Sequence, residues 1–340
     1  MRNKTWYILW LLVVSSCVGT EPPIEQIVNH YDVIVLNEGN FRSGNASVNL
    51  YNSSSGEVLE NVFQNNNQGR PLGDVAQSMI QHDGKGYIVV NNSNKIEVID
   101  LNNFKSVGSI TGLNSPRYIL PVGRNKAYVS DLYQDEIYVI DLVSLAILKK
   151  IPSAGWIEEM TMSSGKAFVC HVDSNQVWVF DVQKDTVIQK INTGIEPNSI
   201  VTDLNGNVWV ACSGGFGVGK PTLIQINPIN YQKMKVFEID DLNKSMSSLA
   251  LNPSMNEVFF LSTDVFKLSI DDTVLTSTPF IRANNRIFRS LGIHPSSGDI
   301  YILDAIDYQQ LGVAYRYDYL GVEMANFSVG LIPGYIHFNL

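Results

Sequence analysis

Charged side chains are scarce in this sequence. Asp, Glu, Lys and Arg make up 17% of the 340 residues, whereas about a quarter is usual in soluble domains. The formal net charge is −9, and no block of like charge occurs. Because nucleic acid is bound by strongly basic surfaces, this balance argues against a nucleic-acid partner.

Cysteine and catalytic motifs are scarce as well. The chain has three cysteines and contains neither a C-x-x-C motif nor the Cys/His spacing of a zinc site. It also lacks the G-x-S-x-G and H-E-x-x-H motifs of hydrolases. Cys170 and Cys212 lie in strand-like segments, where two roles are open: a disulfide of an exported protein, or two small buried apolar residues. No motif points to a cofactor or to a catalytic residue.

Only one apolar run stands out, from Trp6 to Val14, and it follows a basic start. This run is too short to span a bilayer and has the pattern of a secretory signal. The next segment, VSSC, resembles the lipobox of bacterial lipoproteins, which implies a signal peptide over residues 1–16 and lipidation of Cys17. Residues 17–28 are then expected to tether the protein to a membrane. An ordinary cleaved signal with a chance cysteine is the alternative.

What the sequence does contain is a repeated hairpin. In AYVSDLYQDEIYVID, two runs of alternating apolar residues flank a polar loop, which predicts two antiparallel strands. An aromatic residue recurs at steps of 41, 40 and 41, at Tyr87, Tyr128, Phe168 and Trp209. An aspartate recurs at steps of 41 and 40, at Asp100, Asp141 and Asp181. Weaker copies lie near Val33, Phe259 and Tyr301, which makes seven repeats.

The repeat predicts the fold. A period of about 40 residues with several short strands in each unit is typical of a β-propeller. Each repeat is expected to supply four strands, and the strand before each hairpin is expected to be innermost. The first hairpin, DVIVLNEG, has no innermost strand before it, and the last segment, GYIHFNL, has no hairpin after it. Pairing them closes the ring without an open sheet edge. The sequence therefore predicts an all-β, seven-bladed β-propeller over residues 29–340, closed by the C-terminal strand joining the N-terminal blade.

The two faces of this propeller differ in composition. One face carries short Gly/Asn turns. The other carries the hairpin loops and the corners before the innermost strands, and we call it the ligand face because Asn, Tyr, Trp, Arg and Glu are frequent there. Rigid aromatics and adaptable polar groups that converge over a channel suit ligand recognition. The candidate ligand-binding residues are Asn37, Glu38, Asn92, Arg117, Tyr118, Asp131, Tyr133, Trp156, Glu158, His171, Asn198, Arg289 and Tyr335.

Several candidates also suit structural roles. Arg117 and Trp156 are equally suited to packing at a blade junction. His171 is more typical of a hydrogen-bonded loop residue than of a metal ligand. Glu158 and Glu159 are neighbours on a strand, and the alternation of side chains predicts that they diverge. This divergence argues against a paired acid and base, and no metal site is assigned.

The repeats resemble the YncE-like seven-bladed propellers and, more closely, the propeller lipoproteins of Bacteroidetes. The matching segments include LNEGNF, LGDVAQSM, YIVVNNSNKIEVID, SPRYI, KAYVSDLY, GWIEEM and EPNSI, and the resemblance covers Tyr31 to Leu340. Some members, the BtuG-type proteins, are surface-exposed partners of TonB-dependent transporters and capture cobalamin or related corrinoids. The resemblance implies a non-enzymatic lipoprotein of the outer membrane, exposed at the cell surface, that passes a corrinoid to such a transporter.

Two other functions stay open at this point. Some propellers hold a metal over the channel and open lactones, and Glu38, Asn40, Glu158 and Asn198 carry the oxygen ligands that Ca²⁺ prefers. The other function is a surface scaffold for glycans or proteins, since propeller faces serve that role too and the fold alone does not choose. Tyr133 is predicted to contact the ligand from its hairpin loop.

Overall fold

The computed structural model describes residues 30–339, and nearly all regular structure in that range is β-strand. The repeats form strands because β-branched and aromatic residues at every second position fit a pleated surface with a buried face. The predicted signal peptide, Cys17 and the tether at 17–28 lie outside the described residues.

The strands follow the repeats closely along the chain. Blades one and two contain β1 (Val33–Asn37), β2 (Ser47–Tyr51), β3 (Val58–Leu59), the helix α1 (Val62–Asn66), β4 (Ala76–His82), β5 (Lys85–Val90), a 3₁₀ turn (Asn91–Ser93), β6 (Lys95–Asp100) and β7 (Ser106–Ile110). Blades three and four contain β8 (Pro116–Pro121), β9 (Lys126–Asp131), β10 (Glu136–Asp141), β11 (Ala146–Pro152), β12 (Ile157–Ser163), β13 (Lys166–His171), β14 (Gln176–Asp181) and β15 (Thr186–Asn192). Blades five and six contain β16 (Pro197–Thr202), β17 (Val208–Cys212), β18 (Thr222–Ile226), β19 (Lys233–Glu238), β20 (Ser247–Leu251), β21 (Glu257–Ser262) and β22 (Asp264–Ser269). Blade seven and the closing strand are β23 (Phe288–Ile293), β24 (Ile300–Asp304), β25 (Leu311–Tyr317), β26 (Glu323–Leu331) and β27 (Pro333–Phe338).

These strands form seven antiparallel sheets, one for each predicted blade. The innermost strands β4, β8, β12, β16, β20, β23 and β27 contact one another in that order, and β27 contacts β4 again, so the blades form a ring. The last strand pairs with the first hairpin, with Val33 opposite Phe338 and Leu36 opposite Tyr335. The predicted seven-bladed propeller and its closure by the C-terminal strand are confirmed.

Two elements differ from the repeat. Blade six has three strands, and its fourth strand is reduced to a single bridge between Val265 and Ile281. The segment before that bridge, DDTVLTSTP, has no alternation of apolar residues and therefore no face to bury. Helix α1 follows the two-residue strand β3 and buries Val62 and Phe63.

The recurrent residues of the hairpin are structural. The Tyr87 hydroxyl donates to the carbonyl of Leu142 in the next blade at 2.6 Å, and the Tyr128 hydroxyl donates to Asp185 in the following blade at 2.6 Å. The carboxylate of Asp141 accepts the backbone N–H groups of its own outer turn, which lowers its pKa. The repeated aromatic ring therefore joins blades, and the repeated aspartate closes a turn.

Both remaining cysteines are buried and free, so Cys170 and Cys212 do not form the disulfide that stayed open from the sequence. Burial raises the pKa of both thiols. Their role is that of small apolar residues inside the sheets. Within residues 30–339, no helix has the length and apolarity needed to cross a membrane.

Candidate functional site

Each innermost strand has a β-bulge near its first residue. In β12, for example, Ile157 pairs with His171 but Met160 pairs with Val169. Two residues of β12 therefore lie opposite one residue of β13. The same irregularity occurs in all seven blades. A bulge changes the direction in which the unpaired side chain points. The first unpaired residues, which we call the bulge ring, are Gln77, Arg117, Glu158, Asn198, Ser248, Arg289 and Gly334.

The bulge ring surrounds a cavity of about 620 Å³ at the ligand face, and all seven of its members line the wall. The cavity lies at the end of the channel where the innermost strands begin. The loop composition predicted ligand binding at this end. The wall includes eight of the sequence-selected residues: Glu38, Arg117, Tyr118, Trp156, Glu158, Asn198, Arg289 and Tyr335. One repeated backbone irregularity thus brings together residues that are about 40 positions apart in the sequence.

One side of the ring is a hydrogen-bonded charge network. Arg117 donates from Nε to Glu158 Oε1 at 2.9 Å, and its Nη2 lies 2.8 Å from the same oxygen. Its Nη1 donates to Gln77 Oε1 at 2.5 Å, and Trp156 Nε1 donates to Glu158 Oε1 at 2.6 Å. Burial raises the pKa of Glu158, while the Arg117 charge and the indole N–H oppose that rise. Both side chains of this pair are held in place before any ligand arrives.

A second ion pair joins blades seven and one. Arg289 Nη2 donates to Glu38 Oε1 at 2.6 Å. Gly334 is the ring member without a side chain, and a Cβ atom there would lie 2.6 Å from Glu38 Oε1. The glycine leaves room for Glu38, which reaches over from the loop after β1. The ring therefore carries two guanidinium groups, each paired with one carboxylate.

The carboxyl groups of Glu158 and Glu159 bond to opposite neighbours, Arg117 of blade three and Ser199 of blade five. Both line the cavity, because the bulge between Ile157 and Met160 interrupts the alternation of side chains. Glu158 is paired with Arg117, whereas among residues 30–339 the hydrogen bonds to Glu159 come from Ser199 and from the backbone of Ile200. Burial, with a contribution from the Glu158 charge, raises the pKa of Glu159 to about 7 despite these hydrogen bonds.

Five sequence-selected residues lie outside the cavity wall. Asn37 is buried and donates to Asn49 and Ser47, and Asn92 donates to Asp74. The Asp131 carboxylate accepts the backbone N–H groups of Ser115, Tyr133 and Gln134 and thereby shapes its loop. His171 stacks on Trp178 and shares a 2.7 Å hydrogen bond with the carbonyl of Ser153. Tyr133 is 75% exposed at the tip of its hairpin loop.

Sequence reasoning missed three exposed side chains that accompany Tyr133. Phe41, Phe216 and Tyr308 are 63%, 73% and 40% exposed, and each lies in the hairpin loop of another blade. With Tyr133 they occupy blades one, three, five and seven, and we call the four residues the aromatic rim. The signal that could have found them is an aromatic residue inside a polar hairpin loop, where no core position exists.

The residues suggested for a metal site are engaged elsewhere. Glu38 and Glu158 are paired with arginines, Asn198 donates to the carbonyl of Met246 at 2.9 Å, and Asn40 accepts a hydrogen bond from Asn45. In the part of the chain that the structure describes, no three His, Cys, Asp or Glu residues cluster in a way that could hold a metal ion.

Comparison with known proteins identifies the family. A family model described as a domain of unknown function, DUF5074, matches residues 31–332. The chain belongs to this family. The matched span contains every strand except β27, the strand that closes the ring. No curated protein sequence matches the chain.

Solved structures share the fold at low sequence identity. A quinonprotein alcohol dehydrogenase-like protein from Bacteroides thetaiotaomicron is 17% identical, covers 92% of this chain and 79% of its own, and superposes with a TM-score of 0.73. A functionally unknown protein from Desulfotomaculum acetoxidans is 13% identical over 91% and 98% of the two chains, with a TM-score of 0.71. A Bacteroides uniformis protein, provisionally named a 6-phosphogluconolactonase, is 13% identical over 92% and 100%, with a TM-score of 0.68. These similarities establish the propeller fold and leave the activity open.

Proposed function

We propose that this propeller is a non-enzymatic binding lipoprotein of the outer membrane, similar to the BtuG-type proteins, that captures a corrinoid for a TonB-dependent transporter. The observation that carries the proposal is the cavity at the ligand face, whose wall contains eight residues selected from the sequence for binding. A concave site with a few placed polar groups is the usual form of a small-molecule site.

The charges of the ring favour a neutral ligand group. Arg117 and Arg289 are each neutralised by a carboxylate at hydrogen-bond distance, so neither guanidinium is left over for an anion. The uncharged ring members Gln77, Asn198 and Ser248 offer amide and hydroxyl groups. A corrinoid is a large, flat molecule edged with amides, which such groups can bond.

The aromatic rim suits the apolar surface of the same ligand. Its four rings are exposed in hairpin loops of the ligand face, and aromatic side chains supply large contact areas at a low cost in conformational entropy. A metal-dependent hydrolase finds less support, because Glu38 and Glu158 are already paired with arginines. A surface scaffold would use the same rim, and binding of an oligosaccharide in place of a corrinoid would favour it.

Calorimetric titration with cyanocobalamin and with dicyanocobinamide tests the proposal. We expect saturable binding to the wild-type protein, and Tyr133→Ala is expected to weaken it severalfold because a rim contact is lost. Tyr319→Ala is the matched control, since Tyr319 is 63% exposed on the opposite face. If neither compound binds at high micromolar concentration, the corrinoid proposal is wrong. Equal affinity of Tyr133→Ala and wild type would limit Tyr133 to shielding the blade edge.

A further inference from the structure

The second carboxyl group of β12 has no cation partner. Glu159 lines the cavity beside Glu158, but in the described structure its hydrogen bonds come only from neutral groups of β16. The Ser199 hydroxyl donates to Glu159 Oε2 at 2.7 Å, and the Ile200 N–H donates to the same oxygen at 3.2 Å. All the observed hydrogen bonds therefore converge on one of the two carboxyl oxygens.

A backbone N–H group bonded to Ser199 sets the direction of the hydrogen bond from Ser199 to Glu159. The backbone N–H of Leu249 donates to the Ser199 hydroxyl oxygen at 2.9 Å, so that the single hydroxyl hydrogen is directed to Glu159 Oε2. With two donors aimed at it, Oε2 acts as an acceptor. A proton carried by this carboxyl group is therefore located on Oε1, the oxygen left free at the cavity wall.

The surroundings favour the protonated form. Glu159 is partly buried at the cavity wall, and the charge of Glu158 raises its pKa more than the charge of Arg117 lowers it. Burial disfavours ionisation, and it raises the pKa of Glu159 to about 7 although the hydrogen bonds and the charge of Arg117 oppose that rise. Glu158 escapes this effect in part because Arg117 and Trp156 bond its carboxylate.

We propose that Glu159 is a specificity-determining residue that holds a proton on Oε1 and donates a hydrogen bond to an uncharged acceptor of the bound ligand, such as an amide carbonyl. This inference deepens the proposed function and rests on the same cavity. The ionised carboxylate cannot donate and repels the acceptor, so binding weakens as pH rises through the pKa of Glu159. A ligand with a carboxylate in that place would pair poorly with Glu158 as well.

The titratable groups that face Glu159 come from four strands. Glu158 lies on its own strand, Arg117 and Tyr118 lie on β8, Cys170 on β13 and Tyr335 on β27. Burial raises the pKa of both tyrosines and of Cys170 away from neutrality, and the charge of Glu158 raises the pKa of Arg117. Across the cavity, Glu38 and Arg289 form their own ion pair.

The first experiment locates the proton without a corrinoid. Infrared spectra of the full-length protein are recorded from pH 6 to 8.5 for wild type and Glu159→Gln. We expect a protonated-carboxyl C=O band in wild type that disappears around pH 7 and is missing in Glu159→Gln, and we expect molar acetamide to shift it. Absence of a titrating band, or a band that acetamide leaves unshifted, would overturn the proposal.

The second experiment measures ligand binding. If the proton is required, the Kd of wild type for cyanocobalamin rises about thirtyfold between pH 6 and 8.5. Glu159→Gln keeps an N–H donor that does not titrate, so its Kd should stay near the acidic wild-type value, whereas Glu159→Ala should bind weakly throughout. A pH-independent Kd in wild type would contradict the donor role. Absence of all corrinoid binding beside a titrating, acetamide-sensitive band would instead refute the corrinoid and support the donor site.

Discussion

At the scale of single residues, the cavity wall separates two kinds of carboxyl group. Glu38 and Glu158 each have a guanidinium at hydrogen-bond distance, and such pairs hold their geometry without a ligand. Glu159 is partly buried, and within residues 30–339 its observed hydrogen bonds come from neutral donors. Adjacent residues of identical chemistry thus differ in their partners, because the bulge places one beside Arg117 and the other beside Ser199.

The protonation of Glu159 has a consequence for stability. Its pKa is about 7 in the folded protein, well above the 4.5 of an exposed Glu, so the folded state keeps a proton that the unfolded state has released. Stability therefore falls as pH rises from about 4.5 to 7 and then levels off, by up to roughly 3 kcal/mol. Urea unfolding from pH 4.5 to 8 should show this decline in wild type and lose it in Glu159→Gln. Exposed Glu60→Gln controls for removal of one charge, and a decline that persists in Glu159→Gln would assign it to another group.

At the scale of elements, the bulge creates the site and is repeated seven times. If the innermost strands alternated regularly, about half of the bulge-ring side chains would point into the blade. The charges of Arg and Glu could not be solvated there. The bulge instead aims one residue of every blade at the channel. Blade one is the exception, since Gly334 supplies no side chain and Glu38 from the neighbouring loop takes the place.

Gly334→Ala tests whether the missing side chain at Gly334 is what makes room for Glu38. The new Cβ would lie 2.6 Å from Glu38 Oε1, so the carboxylate must move and its ion pair with Arg289 must weaken. We expect a loss of about 1–3 kcal/mol in the free energy of unfolding. Gly123→Ala is the matched control, because its Cβ would only contact Lys126 at 3.5 Å, and such changes are neutral or slightly stabilising. Equal stability of the two variants in denaturant titrations would show that Glu38 has room to spare.

The hairpins were predictable and the bulges were not, for a physical reason. A period of two in AYVSDLYQDEIYVID reports which side chains are buried, and burial is what the strands of a blade require. A bulge shifts the register by one residue without changing local composition, so Glu158 and Glu159 looked like an ordinary alternating pair. Asp131 and His171 have the chemistry of binding residues, but the structure uses them within their loops. Phe41, Phe216 and Tyr308 of the aromatic rim lie in loops without strand periodicity, so no repeat position marks them.

At the scale of the whole molecule, the first and last strands meet in one blade. Asn339 donates its backbone N–H to the carbonyl of Asp32 at 2.9 Å, and β27 pairs with β1 along its length. The closing strand also supplies Gly334 and Tyr335 to the cavity wall. Ring closure and completion of the site are therefore the same event.

Deleting Pro333–Leu340 should abolish both the closure of the ring and the binding site. Removal of β27 leaves β1 as an open, apolar edge, and we expect loss of cooperative unfolding together with aggregation. A circular permutant separates this effect from the position of the chain ends. It joins Asn339 to His30 and opens the exposed turn at Gly123–Arg124, so that every strand is retained. The permutant should unfold cooperatively with nearly the wild-type midpoint. A truncated protein that remains monomeric and equally stable would show that the other six blades hold the ring without its closing strand.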